Sequence, residues 1–466
     1  MMRSLFSGVS GLQNHQTRMD VIGNNISNIN TTGFKRNRVN FQDILYQQLN
    51  GASRPTEDLG GINPKEVGLG MSIAAIDTIH IQGALQTTGV QTDLAIIGNG
   101  FFVLDDRGTQ LFTRAGAFSI DADGIMVNQA NGMRVMGWMA REMEGVSVLD
   151  ISSPVEQLVI PIGGKDPAKE TSIINFACNL DKRTPELAED ATGRQILDGT
   201  WNTTIDIYDS FGDKHVLQVA FTRVPGTANS WNANVNVDPQ NEVPTNATIG
   251  FGAEAPAAGG PTTFVVNFSN NGTLLSAEDG AVNVSGASGQ VQMNVAYDVQ
   301  TATPNEDGTP VRQEFILDLG QVGGFTRSIT QYAEASSSKM VEQDGHTMGY
   351  LDNFTIDTTG VITGIYSNGS TRTIGQVALA SFPNQGGLEK TGDNAFRVSN
   401  NSGAANIGPS GIAGKGKIIA GTLEMSNVDM ADQFVDMIVT QRGFQANSKT
   451  IQTADQLLQE LLTLKR

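Results

Sequence analysis

Cysteine is nearly absent from this chain. Cys178 is the single example in 466 residues, which rules out an internal disulfide framework and leaves packing to hold the fold. Histidine is almost as scarce. His15, His80, His215 and His346 are scattered, with no HExxH and no Cys/His grouping, so no metal-ligand set is offered. Long apolar runs are missing as well. No segment approaches the ~18 consecutive apolar residues of a helical membrane span. Nor does MMRSLFSGVSGLQNH hold the ~7 to 15 residue apolar core of a cleavable secretory leader. Membrane insertion is not expected, and export by another route stays open.

Basic residues are in deficit, with 30 Lys and Arg against 48 Asp and Glu for a net charge of -18. A phosphate-binding surface needs clustered cations with little opposing charge, so nucleic acid is not an expected partner. The one net basic stretch is the first fifty residues, where Arg3, Arg18, Lys35, Arg36 and Arg38 face Asp20 and Asp43. It reads as a solvated face.

Catalytic constellations are missing too. Asp121 and Asp123 precede Gly124 as in a calcium loop, but Ile125, Met126 and Val127 stand where oxygen ligands are required, which leaves a hairpin turn. Gly98 and Gly100 lead into FFVL rather than a helix, so a dinucleotide loop fails on context. No GxSxG is present. Asn-x-Ser/Thr triplets such as those at Asn202 and Asn353 carry little weight without a secretory leader. Neither cofactor, metal nor enzymatic activity is expected.

What the chain does have is glycine and short β-prone runs. With 53 glycines, 39% hydrophobic and 6% aromatic residues, it predicts many turns, short strands and about three domains. Its ends differ from its middle. Leu5, Val9, Leu12, Gln16, Met19, Ile22 or Gly23, and Ile26 recur at steps of three and four, predicting a helix over 3–28 with one apolar stripe. NNISNINTTGFK follows, four asparagines in seven positions. Asn side chains bond neighbouring backbone groups and tolerate left-handed conformations, so this run closes the helix and shapes the turn after it. At the other end, Ser426 with Asp429 resembles a capping box. Asp432 and Asp436 suit the positive end of a helix dipole, and Lys465 with Arg466 the negative end. Met430, Phe434, Met437, Phe444, Ile451, Leu458 and Leu462, interrupted by Gln441, Ser448 and Asp455, predict a long coiled-coil-type helix over 427–464.

Between the ends, residues 101–104, 110–114, 117–120, 125–127 and 133–138 read as strands of an antiparallel meander, divided by DDRG, DADG and NQANG. Farther on, Ile205 and Ile207 alternate before the turn DSFG, and Leu217, Val219 and Phe221 after it. Residues 250–262 read as a surface loop, and hairpins return around DTTG and SNGS. The expected architecture is mainly β with terminal α-helices: two nested β-rich domains, meander or barrel-like, inserted between the two ends. Residues 1–30 and 425–466 form a helical core domain, 31–70 a connecting segment, 71–163 and 336–424 an inner β domain, and 164–335 an inserted outer β domain.

Cys178 is the residue with unusual chemical potential. Ile174, Phe176, Cys178 and Leu180 alternate onto one strand face, which reads as a small core residue. A sharper reading pairs it with Lys165. Loss of the sulfur by β-elimination leaves dehydroalanine, to which a neutral lysine amine adds to give lysinoalanine, provided both groups are suitably tuned.

Each terminal helix is amphipathic with polar interruptions, which suits a repeating interface between copies, and helices of this kind take most of their stability from packing. They are expected to order when neighbours arrive, and a heterologous interface that does not close yields a helical polymer. An intramolecular helix pair beneath the β domains is the alternative.

SGVSGLQNHQTRMDVIGNNISNINTTGFK resembles the N-terminal signature of bacterial flagellar rod and hook proteins, and SNVDMADQFVDMIVTQRGFQANSKTIQTADQLLQELLTLKR their C-terminal signature. IGNGFFVL and GQVALASFPNQGGLEKTGDNAF extend the likeness into the flanking β domain, and IYDSFGDKHVLQVAF looks like an outer hook domain. The resemblance implies a structural subunit of a curved tube that carries torque from motor and rod to filament. The implied partners are other copies of the chain, the rod, the hook cap and the hook–filament junction proteins. It also implies delivery by the flagellar type III export apparatus without a cleaved signal. In the tube, Leu5, Val9, Leu12, Met19, Ile26, Phe434, Met437, Phe444, Ile451, Leu458 and Leu462 would form the axial-core interface. GGKDPAKETSIINFACNL further resembles spirochaete hook proteins, whose neighbouring subunits are joined by lysinoalanine. This implies a Lys165 to Cys178 crosslink assisted by Asn179, and a periplasmic flagellum. A distal rod-like protein and a secreted β-rich adhesin oligomerised by its helices remain the alternatives.

Overall fold

The computed structural model describes residues 2–464 except 53, 56–59, 144–145, 188–193, 240–244, 252–255, 257–259, 280–281, 285–288 and 300–310. Lys465 and Arg466, and much of the 250–262 loop, lie outside the described residues. The chain forms two units, one of residues 1–162, 352–365 and 371–466, the other of residues 163–351 and 366–370.

In the first unit the N-terminal helix spans Met2–Ser27 and the C-terminal helix Met430–Leu464. The asparagine run ends the first helix as its chemistry predicts. Asn28 Nδ2 donates to Asn24 O at 2.9 Å, and Gly33 takes φ 70° where a Cβ would lie 2.5 Å from Ala115 N. Asn25, 1% exposed, spends both ends of its amide: Nδ2 donates to Asn37 O and Gln433 Oε1, while Oδ1 accepts from Asn37 N. One asparagine thus ties the two helices to the first strand. The expected capping box is corrected in one respect. Asp429, not Ser426, caps the C-terminal helix, with Oδ1 accepting from Ala431 N at 2.8 Å and Asp432 N at 3.3 Å.

Residues 31–70, read as a plain connection, contain a β ribbon. Asn37–Asp43 pairs with Met71–Thr78, and Tyr46–Asn50 with Lys65–Gly68. The second pair is exposed on both faces, so no alternation of apolar residues announces it. The inner β domain is woven from both flanks of the insertion. Phe101–Asp106 pairs with Thr109–Thr113, with Arg134–Met143 and with Leu379–Ser381. Leu94–Ile97 pairs with Lys417–Ala420, and Leu85–Thr87 with Thr422–Glu424. Phe101, Phe112, Trp138, Phe382 and Phe396 fill the core between them.

The second unit has two sheets. Ile173–Asp181, Val311–Gln321, Gln290–Val299 and Ser337–Gln343 belong to one, and Thr200–Tyr208, Lys214–Arg223, Ser230–Val237 and Thr263–Phe268 to the other. Buried side chains of both join in one cluster, with Phe176 stacked on Phe221 at 5.9 Å across the layers. The alternations through Ile205 and Ile207 and through Leu217, Val219 and Phe221 all point into this core. Two pieces assigned to the inner domain from sequence, residues 336–351 and 366–370, fall in this unit instead, and Ser337–Gln343 pairs with Ile173–Asp181. Among the described residues no helix is long and apolar enough to cross a membrane.

Candidate functional site

The terminal helices run antiparallel and pack on each other within one chain, as the alternative reading allowed. Successive contacts join Gly8 to Ile451, Gly11 to Asn447, His15 to Gly443, Arg18 to Asp436, and Asn25 to Gln433. Much of this seam is small or polar. A Cβ on Gly11 would sit 2.5 Å from Asn447 Nδ2, and one on Gly443 2.9 Å from His15 Cε1, so glycine sets the close approach. Ile22, Thr440 and Ala454 are buried along it.

The apolar stripe read from sequence lies beside this seam. Leu5, Leu12, Met19, Ile26, Met437, Ile451 and Leu458 are half-buried. Val9 at 53%, Phe434 at 47% and Leu462 at 69% exposed point outward, as does Phe444, and Phe6, Val435, Ile438 and Val439 extend the exposed apolar surface. Most of the seam is thus small or polar, with Ile451 packed on Gly8 as an apolar exception, while Val9, Phe434, Phe444 and Leu462 are left uncovered. Sequence reasoning missed this division because a 3–4 period identifies an apolar stripe without saying which neighbour covers it.

Where the helical ends join the β domain, Glu424 gathers two cations. Its Oε1 accepts from Lys35 Nζ at 2.6 Å and Gly83 N at 2.8 Å, and its Oε2 from Arg114 Nε at 2.6 Å. Lys35 Nζ also donates to Ile81 O, and Arg114 Nη1 to Gly100 O. All three side chains are buried. Burial pushes the Glu424 carboxyl up, but Arg114 and Lys35 together outweigh it and hold it below its ordinary value. Burial lowers Lys35, with Arg114 adding to the effect and Glu424 only partly offsetting it. Nearby His80 is driven down to about 4, first by burial and then by the charges of Lys35, Lys390 and Arg114. No spacing pattern in the sequence marks this clasp.

In the second unit, Cys178 is 5% exposed in strand Ile173–Asp181, within the sandwich core. Burial raises its thiol far above the ordinary range, so the folded chain keeps it as neutral SH. The pairing with Ser337–Gln343 shifts register between Ala177 and Cys178. Asn179 is fully engaged: Oδ1 accepts from Tyr332 N at 3.0 Å and Thr330 Oγ1 at 3.3 Å, and Nδ2 donates to Glu334 O at 3.2 Å. Lys165 lies on the short strand Lys165–Asp166, exposed, with Nζ 5.9 Å from the Tyr350 ring centroid. Cys178 and Asn179 are adjacent by sequence, whereas Lys165 is held at a different strand pair, against Tyr350.

Family models match in chain order. A flagella basal body rod protein model covers residues 5–35, a flagellar hook protein FlgE/F/G D1 domain 95–173, a flagellar basal body protein FlaE D2 domain 179–346, and a flagellar basal body rod FlgEFG protein C-terminal model 419–464. The flagellar hook protein FlgE of Treponema pallidum (strain Nichols) is 59% identical, with 100% of both chains covered. The chain belongs to the flagellar hook protein FlgE family. FlgE of Borreliella burgdorferi is 52% identical over 100% of both chains, so the likeness is strong among spirochaete FlgE proteins. A solved structure of Helicobacter pylori FlgE2 is similar with a TM-score of 0.48 at 15% identity, covering 72% of this chain and 98% of that one.

Proposed function

We infer that this FlgE-family chain is a structural subunit of the flagellar hook, assembling with copies of itself into a curved tube that passes torque from rod to filament. The observation that carries this reading is the division of the terminal helices. Their mostly polar, glycine-lined seam is filled within the chain, and Val9, Phe434, Phe444 and Leu462 remain for neighbours. In the tube, Leu5, Val9, Leu12, Met19 and Ile26, with Phe434, Met437, Phe444, Ile451, Leu458 and Leu462, form the axial contacts. Rod, hook cap and junction proteins are its neighbours at the two ends, the type III apparatus delivers it, and likeness to spirochaete relatives favours a periplasmic flagellum. Electron microscopy tests the assembly. Tubes are expected from the intact chain and none from Leu12→Asp combined with Leu458→Asp; normal tubes from that variant would remove the helical contacts from the model of assembly.

The finer reading is a lysinoalanine bond from Lys165 to Cys178 of a neighbouring copy, and what supports it is the resemblance of the GGKDPAKETSIINFACNL segment to spirochaete hook proteins. The bookkeeping closes without an oxidant. A base takes the Cys178 Cα proton, the Cβ–Sγ bond breaks and hydrosulfide leaves. The Lys165 amine then adds to Cβ while a proton returns to Cα. The neutral thiol is the form from which hydrosulfide leaves, but because Cys178 is buried in the single chain the reaction requires local opening at the register shift beside it, with Asn179 assisting by hydrogen bonding. Cys178→Ala is expected to abolish denaturant-resistant multimers while sparing assembly. Their persistence would exclude this cysteine.

A further inference from the structure

Lys165 does not stand on a polar surface. Tyr350 is its direct cross-strand partner on strand Gly349–Ile356, and Met348 immediately precedes that strand; Met348 is 43% and Tyr350 46% exposed. Beside them is the turn Asp209–Asp213. Asp209 Oδ1 accepts from Phe211 N at 2.9 Å and Asp213 N at 2.7 Å, which fixes the turn. Gly212 (φ 85°) approaches so closely that a Cβ there would lie 2.8 Å from Ala168 Cβ and 3.5 Å from Met348 N. The turn backbone at Gly212 therefore approaches the Met348 backbone, and Phe211, the residue before Gly212, is 67% exposed. Tyr350 is pinned in turn, its N donating to Ser367 Oγ at 3.0 Å and its O accepting from Ser367 N at 2.8 Å.

We propose that Phe211, Met348 and Tyr350 form an apolar seat for a second copy of this chain, and that Tyr350 positions the Lys165 amine at its edge. The proposal rests on the crosslink reading for its choice of occupant. A bond from Lys165 to Cys178 of another copy requires the surface around the amine to lie against that copy when the bond forms. Single exposed apolar residues are ordinary on a protein, but Tyr350 across from the amine, Met348 two positions before Tyr350 and Phe211 on the fixed turn whose backbone approaches Met348 offer a contact surface. The neighbour has matching apolar groups beside its cysteine strand. Ile173 on that strand is 42% exposed, and Tyr332, which pairs with Asp181, is 40% exposed. The aromatic face above which Nζ lies keeps the flexible lysine stem from sampling solvent freely.

Peroxide oxidation of Met348, followed by mass spectrometry, tests the seat without any crosslink. In tubes of Cys178→Ala, Met348 is expected to oxidise at least about tenfold more slowly than in the free subunit, because a packed interface excludes solvent. Equal rates overturn the seat. Crosslink formation tests the positioning role. Tyr350→Ala and Phe211→Ser are expected to slow the appearance of denaturant-resistant multimers about tenfold or more, while Tyr350→Phe, which keeps the ring, proceeds as the unaltered chain does. Equal rates in all three overturn the role of Tyr350. If the unaltered chain forms no such multimers, the crosslink reading falls, and with it the positioning role of Tyr350. The Met348 rates then still decide whether the seat is a contact between copies.

Discussion

Lys35 Nζ lies 2.6 Å from Glu424 Oε1, with both side chains buried, and the contact joins residues 389 positions apart. Glu424→Gln would leave Lys35 and Arg114 as buried cations without their carboxylate. Loss of one partner of such a pair costs about 3–5 kcal/mol, so urea unfolding of the variant is expected at a clearly lower midpoint. The pH dependence follows from the sign of the shift. The folded Glu424 value lies below the unfolded one, so its contribution is complete above about pH 4.3 and is lost as pH falls through the folded value.

His80 acts in the same direction over a higher window. Its folded value of about 4 lies below the ordinary histidine value of 6.5, so the folded chain holds the ring neutral while the unfolded chain protonates it. Stability of the first unit is expected to fall as pH drops from 6.5 toward 4, and His80→Gln to flatten that part of the curve measured by thermal unfolding.

The helix seam depends on missing side chains. Gly443→Val would place carbon where His15 stands and Gly11→Leu where Asn447 stands. Overpacking of this kind costs about 1–3 kcal/mol. Limited proteolysis is expected to cut the terminal helices of these variants faster while sparing the second unit.

Outward residues behave oppositely. Val9→Ser with Phe434→Ser removes apolar surface that the single chain leaves exposed, so the urea midpoint is expected to move by only about 0.5 kcal/mol equivalent. Sedimentation is expected to show loss of polymer. A large fall in subunit stability would place these residues in the fold instead.

Cys178 is expected to resist iodoacetamide at pH 8 in the intact subunit and to react readily in urea, at least about 100-fold faster, because burial both protonates and covers the sulfur. Its folded thiol value is raised, so this residue's contribution to stability is whole below about pH 8.5, where an unfolded thiol begins to ionise, and declines above it.

Much of the fold was legible because its signals are local. The alternation through residues 205–221 and the DSFG turn specify a hairpin with one buried face, and the asparagines at 24–30 specify a helix end. The exposed ribbon at 46–68 was not legible, since neither face is buried and no pattern is imposed. The clasp of Lys35, Arg114 and Glu424 was also hidden, because its members meet only through the tertiary fold. At the helices, the large apolar residues were visible and the glycine seam was not, since small residues carry no periodic signal until a partner helix shows why they are small. Cys178 was legible as a core residue, whereas the neighbourhood of Lys165 depends on Tyr350, distant in sequence.

The strand exchange between residues 85–106 and 379–424 has a kinetic meaning. A chain made amino end first has the sandwich of residues 163–351 in hand before Leu85–Thr87 and Leu94–Ile97 find their partners. Those strands, and Lys35 with them, wait for Glu424. Closure of the clasp is thus a late event that marks a finished chain, and one cut short before Lys417 is left with open strand edges at residues 85–87 and 94–97.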